Sequence, residues 1–119
     1  LENLTVKLDR KAFDSAKLYH KIRAYKAAVV AHTNFIREYP SSPFAEEAAY
    51  MKVESQYEYA KQSVADKQEE RYYEAVEFYQ NFVDQYPESE FARTAAQIYD
   101  NTLAELERIK SEKKNQANS

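Results

Sequence analysis

Two stretches of this chain carry the same residues in the same order. The first is Tyr25, Ala28-Val29, Asn34-Phe35, Tyr39-Pro40, Ser42, Phe44-Ala45 and Ala48-Ala49. The second is Tyr72, Ala75-Val76, Asn81-Phe82, Tyr86-Pro87, Ser89, Phe91-Ala92 and Ala95-Ala96. Each matched pair is 47 positions apart, as Phe35 is from Phe82. A period of that size marks a helical-repeat array, in which each unit buries its apolar face only against its neighbours. Such arrays present extended curved surfaces, and they hold other proteins more often than they transform substrates.

Composition agrees with helices. The chain has no Gly and three Pro, and is rich in Ala, Glu, Lys, Gln and Tyr. Without Gly, tight turns of positive φ are hard to build, while helices lose nothing. At 119 residues the chain suits one domain with a real core. The formal net charge is −3 with both signs interspersed, so no footprint for nucleic acid or anionic lipid is expected. No apolar run approaches the roughly 20 residues of a membrane-spanning helix. The absence of Cys removes disulfides, thiolate metal sites and cysteine nucleophiles. The chain opens at Leu1 without an initiator Met, a signal segment or a lipid-attachment Cys, and it reads as a piece of something longer.

Apolar periodicity predicts five helices. The first covers about residues 5–22, with Leu8, Ala12, Ala16 and Tyr19 on one face. The second covers about 24–39 and ends at Tyr39-Pro40, since Pro disfavours helical conformation in the residue before it. Ser42 is placed to cap a third helix over about 43–64, with Pro43 at its first position. Asp66, three residues before Glu69, has capping-box spacing and predicts a fourth helix over about 67–86. The fifth carries Phe91, Ala95, Ile98, Tyr99, Leu103, Leu106 and Ile109. Residues 1–110 then form one repeat domain, and the polar residues 111–119 are expected to fray.

A second self-match relates the odd-numbered helices. Ala12, Ala16 and Tyr19 recur as Ala92, Ala96 and Tyr99, with Ala45 and Ala49 repeating the alanine pair. Small residues four apart let a neighbouring helix approach closely. The expected architecture is all-α: a right-handed array of two helix hairpins and a C-terminal capping helix. Its expected core includes Ala16, Ala28, Phe35, Ala49, Phe82 and Ala96.

These positions resemble the tetratricopeptide (TPR) unit. Ala16 and Tyr19 stand at the small and aromatic positions of its first helix, Ala28 at the small position of the second, and Pro40 at the close. Ala12 replaces the signature Trp, Ser15-Ala16 replaces Leu-Gly, and His32 stands where a large apolar residue is usual. The turn from Phe35 through Tyr39-Pro40 and Ser42 to Phe44 is similar to turns of envelope TPR proteins of Gram-negative bacteria. The run from Lys11-Ala12-Phe13 to Tyr39-Pro40 resembles later repeats of the BamD family, lipoproteins of the β-barrel outer-membrane assembly complex. Residues 60–72 resemble its Bacteroidetes-type members, and the resemblance spans residues 7–99. It implies the C-terminal TPR part of a non-catalytic scaffold, periplasmic and anchored to the outer membrane only through an N-terminal lipidated Cys outside this sequence. The implied partner is a BamA-like barrel-assembly subunit, with no nucleic acid and no cofactor. A Tol-associated cell-division TPR protein shares the Phe-x-x-x-Tyr-Pro turns, and an accessory TPR domain of a larger protein remains a further alternative.

No residue set argues for catalysis. His20 and His32 lack the spacing that places two ligands on one helix face, so no metal site is expected. His32, on the apolar face of the second helix, reads as a buried, hydrogen-bonded structural residue. The neighbours Glu46-Glu47 and Glu69-Glu70 point about 100° apart on a helix and form no acid–base dyad. Partner contact is expected on one of two surfaces. The repeat exceeds a 34-residue TPR, which lengthens the third and fourth helices into a tip projecting past its neighbours, where Tyr57, Tyr59, Tyr72 and Tyr73 cluster. Tyr59 and Tyr73 would be docking anchors there, or the tyrosines zip the two helices together. The concave face, by TPR position, is lined by Phe13, Lys17, His20 and Lys21, then Glu47, Met51 and Glu54, then Arg93, Gln97 and Asp100. Such mixed charges also suit a merely solvated face.

Overall fold

The computed structural model describes residues 4–118, with side chains from Lys7 onward. Five helices follow one another: α1 (Leu4–Lys21), α2 (Tyr25–Glu38), α3 (Ala45–Gln62), α4 (Ala65–Gln85) and α5 (Ala92–Ala117). Among the described residues there is no strand. α1 packs on α2, α2 on α3, α3 on α4 and α4 on α5, so the chain is the expected all-α, TPR-like array of two hairpins and a closing helix.

The two repeat turns are near copies. Tyr39 and Tyr86 take φ/ψ of −127°/60° and −131°/64°, and each donates its N–H to the Phe four residues earlier at 2.8 Å. Ser42 Oγ accepts from Phe44 N at 3.1 Å, and Ser89 Oγ accepts from Phe91 N at 3.0 Å. Each serine side chain thus holds the turn and not the helix N-cap expected of Ser42: the turn closes with a three-residue bond (Ala45 N to Ser42 O, 3.1 Å), Phe44 takes the N-cap position without a side-chain cap, and regular helix begins at Ala45, two residues after Pro43.

Two further boundaries differ from expectation. α4 starts at Ala65 after an extended Val64, and Asp66 makes no cap; it lies in the first turn, where the helix N-terminus favours a carboxylate. The hydroxyl nearby that is engaged belongs to Ser63, which donates to Tyr59 O (2.6 Å) and accepts from Arg71 Nη1 (2.8 Å). α5 runs past Lys110 to Ala117, so the helix continues through residues 111–117. Its Glu, Lys, Gln and Ala are good helix formers. Arg108 pairs with Glu112 at 3.0 Å, and Lys113 reaches back to Glu69 of α4 at 2.7 Å. The α3–α4 tip, in turn, does not project uncovered: Ala60, Tyr72, Leu106 and Ile109 build a second small core between it and α5.

The main core joins Phe13, Phe35, Ala48, Tyr50, Met51, Val53, Phe82, Ala95 and Ile98. Ala16, Ala28, Phe35 and Phe82 are buried as expected, whereas Ala48 and Ala95 are fully buried in place of their neighbours Ala49 and Ala96. The packing register also corrects the alanine match between α1 and α3. Phe13 stacks on Phe44 (5.1 Å) and meets Phe35 (5.5 Å); Tyr50 stacks on Phe91 (5.0 Å) and meets Phe82 (6.3 Å). Phe13 is thus equivalent to Tyr50, one helical turn away from the register of Ala12 with Ala45. Ala28 and Ala75 have no room for a larger side chain, at 0% and 1% exposure. Leu at either position is expected to cost about 1–3 kcal/mol. An unchanged denaturant midpoint would contradict this packing.

One turn does use a positive φ. Arg23 has φ 66°, and the bonds Ala24 N to Tyr19 O (2.8 Å) and Arg23 N to His20 O (3.0 Å) complete a Schellman close to α1. The left-handed conformation costs an L-residue about 1–2 kcal/mol, and Gly avoids that cost while losing some of the gain to its own chain entropy. Arg23→Gly is expected to stabilise the chain by about 0.5–1 kcal/mol in urea unfolding. A lower midpoint would contradict the strain.

Candidate docking surfaces

Four of the residues expected along the concave face pair with one another. Lys17 Nζ lies 3.8 Å from Glu47 Oε2, and His20 Nε2 lies 3.2 Å from Glu54 Oε1, in each case joining α1 to α3. Part-exposed pairs of this kind contribute about 0–1 kcal/mol. Lys21 is exposed beside them, and the nearly buried Met51 edges a depression of about 430 Å³ with Lys17, Leu18 and His20. Phe13 belongs to the core. Arg93, Gln97 and Asp100 are exposed on α5, where Gln97 donates to Asn101 of the same helix at 3.2 Å. α1 makes no packing contact with α5, so the structure does not bring these three together with the α1 set.

His20 has a second partner. Its Nδ1 lies 2.9 Å from Ser55 Oγ, while Tyr50 donates to the other oxygen of Glu54 at 2.9 Å. Serine, histidine and glutamate thus form a hydrogen-bonded chain, the order used by hydrolases. Here it lacks the means to act. Ser55 is 0% exposed in the middle of α3, where backbone N–H groups are committed to the helix and supply no oxyanion hole. The chain of bonds ties α1 to α3. His32 departs from its expected role in one respect: it is 0% exposed, yet neither ring nitrogen has a hydrogen-bond partner. Among the described residues no three His, Asp or Glu side chains gather as a metal site would require, and no helix is long and apolar enough to cross a membrane.

The tyrosines at the tip differ in burial. Tyr57 and Tyr72 meet at 5.9 Å between α3 and α4, with Tyr72 1% exposed; they zip the hairpin. Tyr73 is 57% exposed. Tyr59 is half-buried under the Arg71 guanidinium at 4.4 Å.

Over residues 5–110 the sequence matches a family described as outer membrane lipoprotein, YfiO. The chain belongs to that family. Comparison with curated proteins gives no match. Family membership associates this YfiO-type chain with the outer membrane and covers all four helices of the two hairpins together with most of α5. The functional candidates that sequence reasoning missed in it lie on α2. That helix is apolar on its outer side as well as toward the core, through Ala27, Val30 and Ala31. Apolar residues on the outer side of α2 where the repeat places Glu74 and Glu77 on α4 are the signal that marks them.

Proposed function

We propose that this chain is a non-catalytic scaffold in the β-barrel assembly machinery of the outer membrane, the TPR part of a Bacteroidetes-type, BamD-like lipoprotein. It works on the periplasmic side and holds a BamA-like barrel-forming subunit. The observation that carries this reading is the family match over residues 5–110, on a fold that offers surfaces for partners and no equipped catalytic centre in the Ser55–His20–Glu54 chain. Tyr73 is the candidate anchor at the tip, with Tyr59 behind it, and Lys17, His20, Lys21, Glu47, Met51, Glu54, Arg93, Gln97 and Asp100 mark the alternative concave surface.

Calorimetric titration of the chain with the soluble periplasmic part of the BamA-like subunit tests this. Saturable binding of one molecule to one is expected. Tyr73→Ala should weaken it by more than about 1 kcal/mol, the level that separates contributing interface residues from passive ones. Its melting temperature should hardly change, because an exposed ring loses little packing when removed. Tyr59→Ala should also lower stability, since Arg71 leans on its ring. Absence of heat with the intact chain would overturn the proposed partner; full affinity in both variants would move docking off the tip.

A further inference from the structure

The outer side of α2 carries a surface that the fold itself does not require. Ala27, Val30 and Ala31, with Tyr19 of α1, Tyr25 and Tyr59 of α3, line an open depression of about 730 Å³. Val30 is 51% exposed and Tyr19 42%. The internal repeat provides the control. At the positions 47 residues on, Ala27 and Val30 become Glu74 and Glu77 of α4, both exposed, with Glu74 also accepting from Gln56 of α3 at 3.2 Å, while Ala31 becomes Phe78, which packs on the core. A hairpin of this architecture therefore stands with carboxylates at these two places. Apolar residues there serve something other than packing, because exposed contiguous apolar surface marks binding sites.

The charge lining the depression has one sign. Lys26 is the only charged residue among those lining it, and it is exposed. Arg37 donates to Asn34 at the far end (2.8 Å), and Arg71 sits over the ring of Tyr59. No carboxylate lines it. The floor is made of alanines at helical spacing, which admits a second helix at close range. From Lys26 to Asn34 the groove runs about 12 Å, roughly two turns of helix at 1.5 Å per residue.

We infer that this groove docks an acidic amphipathic helix of a partner protein, its apolar side chains between the three tyrosines and its carboxylates against Lys26 and Arg37. A lipid surface carries the complementary charge but is planar and leaves the depression unfilled. The inference goes beyond the proposed function: it names the chemistry of a second contact, and its test does not involve the barrel-forming subunit.

The probe is a 16-residue peptide with Leu and Phe at helical spacing on one face and Glu on the flanks, beside a twin with Lys for every Glu. Fluorescence anisotropy with the 119-residue chain should show binding of the Glu peptide that weakens as salt rises. The Lys twin should bind at least about tenfold less well. Val30→Glu, which installs the residue α4 already carries, and Lys26→Glu should each lose about tenfold or more, with circular dichroism unchanged. Amide shifts in NMR should map to residues 24–34 and to Tyr59. Equal binding of both peptides, shifts confined to the concave face, or undiminished binding by Val30→Glu would overturn the inference. So would self-association of the chain, or adsorption to vesicles containing phosphatidylglycerol, if either disappears in Val30→Glu while the Glu peptide fails to bind.

Discussion

Phe82→Ala is expected to remove about 3–5 kcal/mol of folding stability, the usual cost of emptying a buried phenylalanine site. The ring is 2% exposed and stands where three elements meet: Tyr50 of α3 at 6.3 Å, Tyr86 of the turn at 5.8 Å, and the α4 backbone that carries it. Small domains are stable by about 5–15 kcal/mol in all, so this single change takes away a large fraction. Urea unfolding at pH 7.5, followed by helical circular dichroism, measures it. The predicted consequence extends to the tip, because α4 positions Tyr72 in the second core. A loss below about 1 kcal/mol would mean that the pocket collapses around the gap or that the second hairpin is packed differently.

His32→Leu should act in the opposite direction. Burial, followed by the nearby charges of His20 and Lys17, pushes the imidazole from an ordinary 6.5 down to about 4. At pH 7 the ring is neutral in both folded and unfolded chains, and protonation favours neither. As the pH falls below 6.5 the unfolded chain takes up a proton that the folded chain refuses until about pH 4. Stability is therefore fully present above 6.5 and is lost through that window, by about 3 kcal/mol in total. Leucine, close in volume and without unpaired nitrogens, should gain about 1–3 kcal/mol at pH 7 and remove that part of the acid sensitivity. The comparison of interest is the difference between the two proteins at pH 6.5 and at pH 5, where other groups titrate alike in both. A constant difference would show that His32 finds a partner or a proton in the folded chain.

Much of this fold was legible because its repeat unit is punctuated by residues with strong local consequences. Tyr39-Pro40 and Tyr86-Pro87 end helices, Ser42 and Ser89 hold the turns that lead to the next helix, and Phe35 and Phe82 mark the core face. The register of α1 on α3 was not legible. In the observed register Ala12 falls on Ala49 and Ala16 on Val53, so one of the two alanine matches survives the slip of one turn, and the aromatic stacks of Phe13 and Tyr50 reveal it. Nor did the sequence disclose where α5 ends, since Lys113 owes its place to Glu69 of another helix, forty-four positions earlier. Arg23 shows a turn built at positive φ in a chain without glycine, which composition argues against.

The candidate site was legible in kind and less so in detail. Eleven tyrosines are a compositional bias that sequence alone leaves open between packing and partner contact. Which of them face inward depends on the rotation of α3 against α4, and there adjacent residues part company: Tyr72 is core and Tyr73 is exposed. On the concave face, charges that looked unassigned in sequence turn out to be paired across helices, Lys17 with Glu47 and His20 with Glu54. Pairs between helices distant in sequence have no local signature.

If this chain serves outer-membrane barrel assembly as a docking scaffold, the exposed Tyr73 position touches the barrel-forming subunit in the living cell. A photo-crosslinking amino acid at position 73 of the native lipoprotein, activated in intact cells, traps that contact, and the adduct is then identified. An adduct with the BamA-like subunit is expected, and it should be lost when the crosslinker is moved to the buried position 82. An adduct with Tol-system proteins in place of that subunit, or with an enzyme bound by the chain, would refute the scaffold's role in barrel assembly.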